Sequence, residues 1–144
     1  MKRLSLALLL VMLSMLIAAP SVQAAASSTT ITLDSNFETG VETFTATGDV
    51  LCDSGTAETF GLHVVGGPRT ATFHLFKTLT CDDGSGTFTI GVQAKVIFGA
   101  PTDNGGWWVV GGTDDYATLQ GGGSLVGTYY EGGVVDVYSG KVSL

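Results

Sequence analysis

Along most of this chain apolar and polar residues alternate with a period of two, the pattern of half-buried β-strands whose successive side chains point to opposite faces. The clearest stretch is 87–98, where Phe88, Ile90, Val92, Ala94, Val96 and Phe98 share one face and Thr87, Thr89, Gly91, Gln93 and Lys95 the other. At about 3.3 Å per residue this segment reaches about 40 Å, longer than an ordinary strand and suited to one that slopes around a barrel. Residues 70–79 repeat the pattern, with Ala71, Phe73 and Leu75 alternating against Thr72, His74 and Phe76. Phe44, Ala46, Gly48, Val50 and Cys52 share one parity, which predicts a strand over 41–52 bent at Gly48. Further strands are expected at 60–65, 107–110, 124–130 and 134–142.

Between these runs, 81–86 and 131–133 read as turns, 114–119 as a turn or a single helical turn, and 25–30 as a frayed start. Gly111, Gly112, Gly121, Gly122, Gly123, Gly127, Gly132, Gly133 and Gly140 punctuate the last third, where glycine lets backbones turn and approach closely in a strongly curved antiparallel sheet. About eight strands in sequential hairpins can close on themselves, which removes the exposed sheet edges that promote aggregation. The fold class expected is all-β, an eight-stranded antiparallel β-barrel preceded by a signal-peptide helix.

The leading residues carry the marks of an export signal. Lys2 and Arg3 form a positive start, 4–19 is an apolar run, and Val22-Gln23-Ala24 offers small residues where a signal peptidase reads. The apolar run is shorter than the roughly 20 residues a spanning helix needs, and Pro20 and Ser21 end it. Cleavage after Ala24 is expected, with residues 1–24 as the signal and 25–144 as the barrel domain. This places the protein outside the cell or in the cell envelope, with no stable membrane insertion after cleavage and no cysteine near the cleavage point for a lipid anchor.

Loss of the signal changes the charge picture. Only Arg69, Lys77, Lys95 and Lys141 remain against 13 acidic residues, a formal charge of −9. A phosphate-binding surface needs clustered Lys and Arg, so nucleic acid is not an expected partner. Cys52 and Cys81 are the only cysteines, and in an oxidising compartment a disulfide between them is the natural reading. The loop it closes, about 30 residues, corresponds to about 3–4 kcal/mol in the chain-entropy model. With both cysteines at strand ends, the bridge ties the second strand to the end of the fourth. Neither has a Cys or His at metal-ligand spacing, so a metal pair or reactive thiol is the weaker alternative.

One segment carries a family likeness. Trp108-Val109-Val110-Gly111-Gly112-Thr113-Asp114-Asp115-Tyr116, with Leu119-Gln120-Gly121 and the later Val135-Asp136-Val137-Tyr138, resembles the dirigent and allene oxide cyclase β-barrel superfamily, including small secreted bacterial proteins of that shape. The likeness covers about the last 38 residues, more weakly 84–91, and implies an eight-stranded barrel with a cavity. It also implies chemistry without a protein-bound redox cofactor, since plant members guide phenoxy-radical coupling or cyclise an allene oxide fatty acid. Asp114 stands where that turn commonly has a second glycine, and the family's cavity acids have no residue-by-residue match here.

Candidate chemistry is sparse. Trp107 and Trp108 are consecutive, so in a strand one faces the core or cavity and the other faces out. Tyr116, Tyr129, Tyr130, Glu131, Asp136 and Tyr138 cluster late in the chain, and a Tyr or Asp in an apolar cavity can orient a ligand or protonate an intermediate. Asp136 has opposite parity to Val135 and Val137, and the default for a lone carboxylate is a solvated face. Asp114 and Asp115, with Asp103 and Asn104, invite a calcium or acid–base reading, but without a D-x-D-x-D-G pattern they read as turn formers, as do Asp82 and Asp83. His63 and His74 lie on separate strands without a zinc motif. No nucleophile elbow, Walker loop or dinucleotide fingerprint is present in the sequence.

Whether the protein is an enzyme is left open at this level, and no metal or cofactor is called for. The primary expectation is a secreted barrel binding a small apolar or aromatic ligand through Trp107, Trp108, Tyr116, Tyr129, Asp136 and Tyr138. A cofactor-independent isomerase or cyclase and an envelope interaction protein are the alternatives.

Overall fold

The computed structural model describes residues 25–144; the expected signal segment, 1–24, lies outside the described residues. Eight strands follow in order: β1 (Ser27–Asn36), β2 (Val41–Thr47), β3 (Ser54–Gly66), β4 (Thr70–Cys81), β5 (Thr87–Ile97), β6 (Thr102–Gly112), β7 (Gln120–Tyr130) and β8 (Gly133–Ser143). A single 3-10 turn, Asp114–Tyr116, separates β6 from β7. Each strand pairs antiparallel with the next, and β1 closes on β8 through ten register pairs from Ser27↔Val142 to Asn36↔Gly133. The barrel is therefore closed and up-and-down, with no open sheet edge.

Alternation decides which residues fill it. On β5, Phe88, Ile90, Val92, Ala94 and Val96 point inward and are buried, as their shared parity predicts. On β8 the inward set is Val134, Asp136, Tyr138 and Val142. Asp136 is only 8% exposed, so the solvated default for this residue is corrected. Its parity is that of the core, and alternation leaves the side chain no route outward.

Three further expectations are corrected. The polar start is not frayed: Ser27–Thr30 form the beginning of β1, because the open edges of β2 and β8 both supply hydrogen-bonding partners, Thr30↔Thr47 among them. The strand expected over 41–52 ends at Thr47, and β3 begins at Ser54, within a stretch whose composition reads as a turn. The Cys52–Cys81 bridge forms, with Cα atoms 6.0 Å apart, and ties the β2–β3 connection, rather than a strand end, to the last residue of β4.

The two ends of the barrel differ. At one end Phe44, Phe88 and Tyr116 stack edge to face, with centroids 6.0 and 5.3 Å apart, and Leu51, Leu79, Leu119 and the disulfide complete a filled floor. The Tyr116 hydroxyl accepts the Cys52 backbone N–H at 3.0 Å and meets Ser85 Oγ at 2.9 Å, which pins the 3-10 turn across this end. Asp114, at the position where the resembled turn carries glycine, adopts φ of 52°, the left-handed region that Asp tolerates in turns. At the other end Phe37, Leu62, Ile97 and Phe98 stay more than half exposed around an open mouth.

Candidate functional site

A cavity of about 560 Å³ opens at this mouth and reaches inward as far as Val92, Leu125 and Tyr138. Its walls are largely apolar, from Phe73, Leu75, Val92, Ala94, Val96 and Leu125, with Phe37, Leu62, Ile97 and Phe98 at the rim. The size lies within the range of small-molecule sites, which combine apolar walls with a few placed polar groups.

The polar groups fall into two clusters. The first spans β1 to β4, where Lys77 Nζ donates to Glu42 Oε1 at 2.8 Å, Thr59 Oγ1 at 2.7 Å and Ser35 Oγ at 3.3 Å. Ser35 and Thr59 in turn donate to Glu42, at 2.9 Å from Ser35 and at 2.8 Å from Thr59. Register explains the meeting: Thr59 lies opposite Lys77, and Ser35 opposite Glu42. Burial opposes ionisation of Glu42, but the hydrogen bond and charge of Lys77, with the Thr59 and Ser35 hydroxyls, outweigh it and hold the carboxyl below its usual range.

The second cluster spans β6 to β8. Asp103, Gly127 and Asp136 form one cross-strand row, and a Cβ at Gly127 would collide with Oδ1 of both aspartates. Asp103 Oδ1 accepts the Gly127 N–H at 3.0 Å, and its Oδ2 accepts the Tyr129 hydroxyl at 2.6 Å. Tyr138 donates to Asp136 Oδ2 at 3.1 Å. Burial pushes the Asp136 carboxyl up to about 6, with Asp103 and Glu42 adding to the shift while Lys77 and Tyr138 oppose it. Burial and the adjacent carboxylates hold the Tyr129 and Tyr138 phenols well above their usual value.

Of the six candidate ligand-binding residues, Tyr129, Asp136 and Tyr138 line the cavity. The other three do not. Trp107 is buried beneath it, packed edge to face on Tyr138 at 6.3 Å. Trp108 has the opposite parity and lies on the outer wall, 44% exposed, with its indole over Gly91, where any Cβ would collide with the ring. Tyr116 belongs to the floor at the far end.

The proposed aspartate grouping is also separated by the fold. Asp103 lines the cavity, whereas Asp114 and Asp115 sit at the opposite end in the 3-10 turn. Asp83 is a turn former whose Oδ1 accepts the Ser85 N–H at 2.9 Å and hydroxyl at 2.6 Å. His63 and His74 oppose each other on the outer wall, with ring centroids 6.4 Å apart. Among the described residues no group of three or more His, Cys, Asp or Glu side chains is arranged to hold a metal ion.

Lys77, Glu42, Thr59, Ser35 and the cavity role of Asp103 were not legible from sequence. They lie on five strands, and no spacing along the chain marks them. The available signal is parity: Lys77 shares that of Phe73 and Leu75, and Glu42 that of Phe44 and Ala46. No family model, curated protein or solved structure matches the chain.

Proposed function

We propose that this protein is an exported carrier or receptor that holds one small apolar or aromatic molecule in its barrel. The carrying observation is the open, largely apolar cavity of about 560 Å³ above a filled floor. Export draws support from the Cys52–Cys81 disulfide, which suits an oxidising compartment. Among the described residues no helix is long and apolar enough to cross a membrane. Kinship with the dirigent and allene oxide cyclase barrels belongs to the same proposal and draws on the eight-strand, up-and-down closure.

The test is titration with N-phenyl-1-naphthylamine, a neutral apolar fluorophore that brightens out of water. Saturable one-to-one binding is expected, and Ala94→Trp, which fills the cavity from β5, should abolish it. No saturable signal, or an equal one in Ala94→Trp, overturns the reading.

One observation favours a second reading, a cofactor-independent isomerase or cyclase. Asp136, raised to about 6 and touching Tyr138, can hold or release a proton near neutral pH inside an apolar space. Unchanged turnover in Asp136→Asn, once a substrate is in hand, would remove that reading.

A further inference from the structure

Resting on the carrier reading, the hydrogen-bond inventory of the cavity indicates which kind of guest it takes. Five lining side chains carry polar hydrogens, and each is already engaged. Lys77 uses its three donors on Glu42, Thr59 and Ser35. Ser35 and Thr59 donate to Glu42, Tyr129 to Asp103, and Tyr138 to Asp136. Acceptors are in a different position. Asp136 is more than nine-tenths buried and lines the cavity, its Oδ2 takes the Tyr138 hydroxyl, and its Oδ1 receives no hydrogen bond among the described residues. Across Gly127, Asp103 adds a second carboxyl on the same wall. The lining as a whole holds three carboxyl groups, Glu42, Asp103 and Asp136, against one ammonium, Lys77.

We propose that the guest is an amphiphilic cation, an apolar chain or ring bearing a protonated amine, with its ammonium seated on Asp136 beside Asp103 and its apolar body against β4 and β5. A carboxylate or phosphate guest finds no uncommitted side-chain donor and meets excess negative charge. A neutral alcohol satisfies Asp136 Oδ1 by hydrogen bonding but leaves the charge uncompensated. Charge-assisted hydrogen bonds are the stronger class, so the amine gains most.

The seat is also sensitive to pH. The groups facing Asp136 are Tyr138 on β8, Tyr129 on β7, Asp103 on β6, Lys77 on β4, Thr59 on β3, Glu42 on β2 and Ser35 on β1. With its carboxyl raised to about 6, Asp136 takes up a proton in mildly acidic solution, which removes its charge and turns an acceptor into a donor. A primary alkylamine stays protonated throughout this range.

The test displaces N-phenyl-1-naphthylamine from the purified protein with three guests of equal chain length: decylamine, decan-1-ol and decanoate. At pH 7 decylamine should bind about tenfold or more tightly than decan-1-ol, with decanoate weakest. Between pH 7 and pH 5 the decylamine affinity should fall by about tenfold while that of decan-1-ol stays within about twofold. Asp136→Asn should erase the preference for the amine at pH 7. The pH series on the unaltered chain carries the test if that variant does not fold. Equal or better binding of decan-1-ol at pH 7, survival of the preference in Asp136→Asn, a pH-independent preference, or no displacement by any guest overturns the cation inference and leaves the carrier reading standing. Failure of the fluorophore itself to bind overturns the carrier reading beneath it.

Discussion

Asp103 on β6 and Asp136 on β8 stand on either side of Gly127, each directly opposite it in register, so two inward carboxyl groups share a stretch of wall with no side chain between them. Glycine is required there by space rather than by backbone conformation. Any Cβ would collide with both Oδ1 atoms. Gly127 also supplies the N–H that fixes Asp103, so the same residue makes room for the carboxyl pair and orients half of it.

Gly127→Ala should therefore push both carboxyl groups from their positions and strain the bond from the residue 127 N–H to Asp103. Overpacking of this kind costs about 1–3 kcal/mol. Denaturant unfolding measures the loss, and fluorophore titration should show weakened binding in the fraction that remains folded.

The pH dependence of stability follows from Asp136. Its folded value, about 6, lies above the ordinary 3.8 of an unfolded aspartate, so folding favours the protonated form. That contribution is fully present below about pH 4 and is lost as pH rises through about 6. Asp136→Asn, which mimics the neutral form, should be more stable than the unaltered chain at pH 8 by on the order of 2–3 kcal/mol. The two should converge near pH 4. Thermal melts at both pH values check the sign.

Lys77 and Glu42 form a buried pair whose loss is asymmetric. Lys77→Met leaves Glu42 and two hydroxyls facing a wall with no cation, and should cost about 3 kcal/mol or more at pH 7. The double variant Lys77→Met with Glu42→Gln should recover much of that. Glu42 is held below the usual carboxyl range, so the pair's stability is present above the unfolded value near 4.5 and declines as pH falls through the lower folded value. A double-mutant cycle in urea at pH 7 measures the coupling.

The floor should be separable from the cavity. Tyr116→Phe removes the acceptor of the buried Cys52 N–H and should cost about 1–3 kcal/mol, with fluorophore affinity unchanged. Removing the disulfide with paired Cys→Ala changes should cost about 3–4 kcal/mol on the chain-entropy model. A large loss of affinity in Tyr116→Phe would show that the two ends are coupled.

Sequence alone determined the elements whose evidence is local. The period-two run of β5 sets its inward face because alternate side chains on a pleated strand have only two directions. Turn chemistry placed the hairpins at 81–86 and 131–133, and the two cysteines of the sequence had only each other as disulfide partners. The all-β class and seven of the eight strands, β2 to β8, followed from the same periodicity.

The tertiary structure decided what depends on register and on curvature. β1 begins in polar residues, Ser27–Thr30, ahead of the inward pair Ile31 and Leu33, and these first residues join the strand because β2 and β8 flank them with backbone hydrogen-bonding groups. Lys77, Glu42, Thr59 and Ser35 meet through cross-strand pairing over distances of up to 42 residues, which no local spacing encodes. Trp108 and Tyr116 carry the residue type of a ligand site, but one faces outward and the other closes the floor. Asp136 was drawn inside by strand alternation against the usual cost of burying a carboxyl, and only the closed barrel shows that its parity faces a cavity rather than solvent.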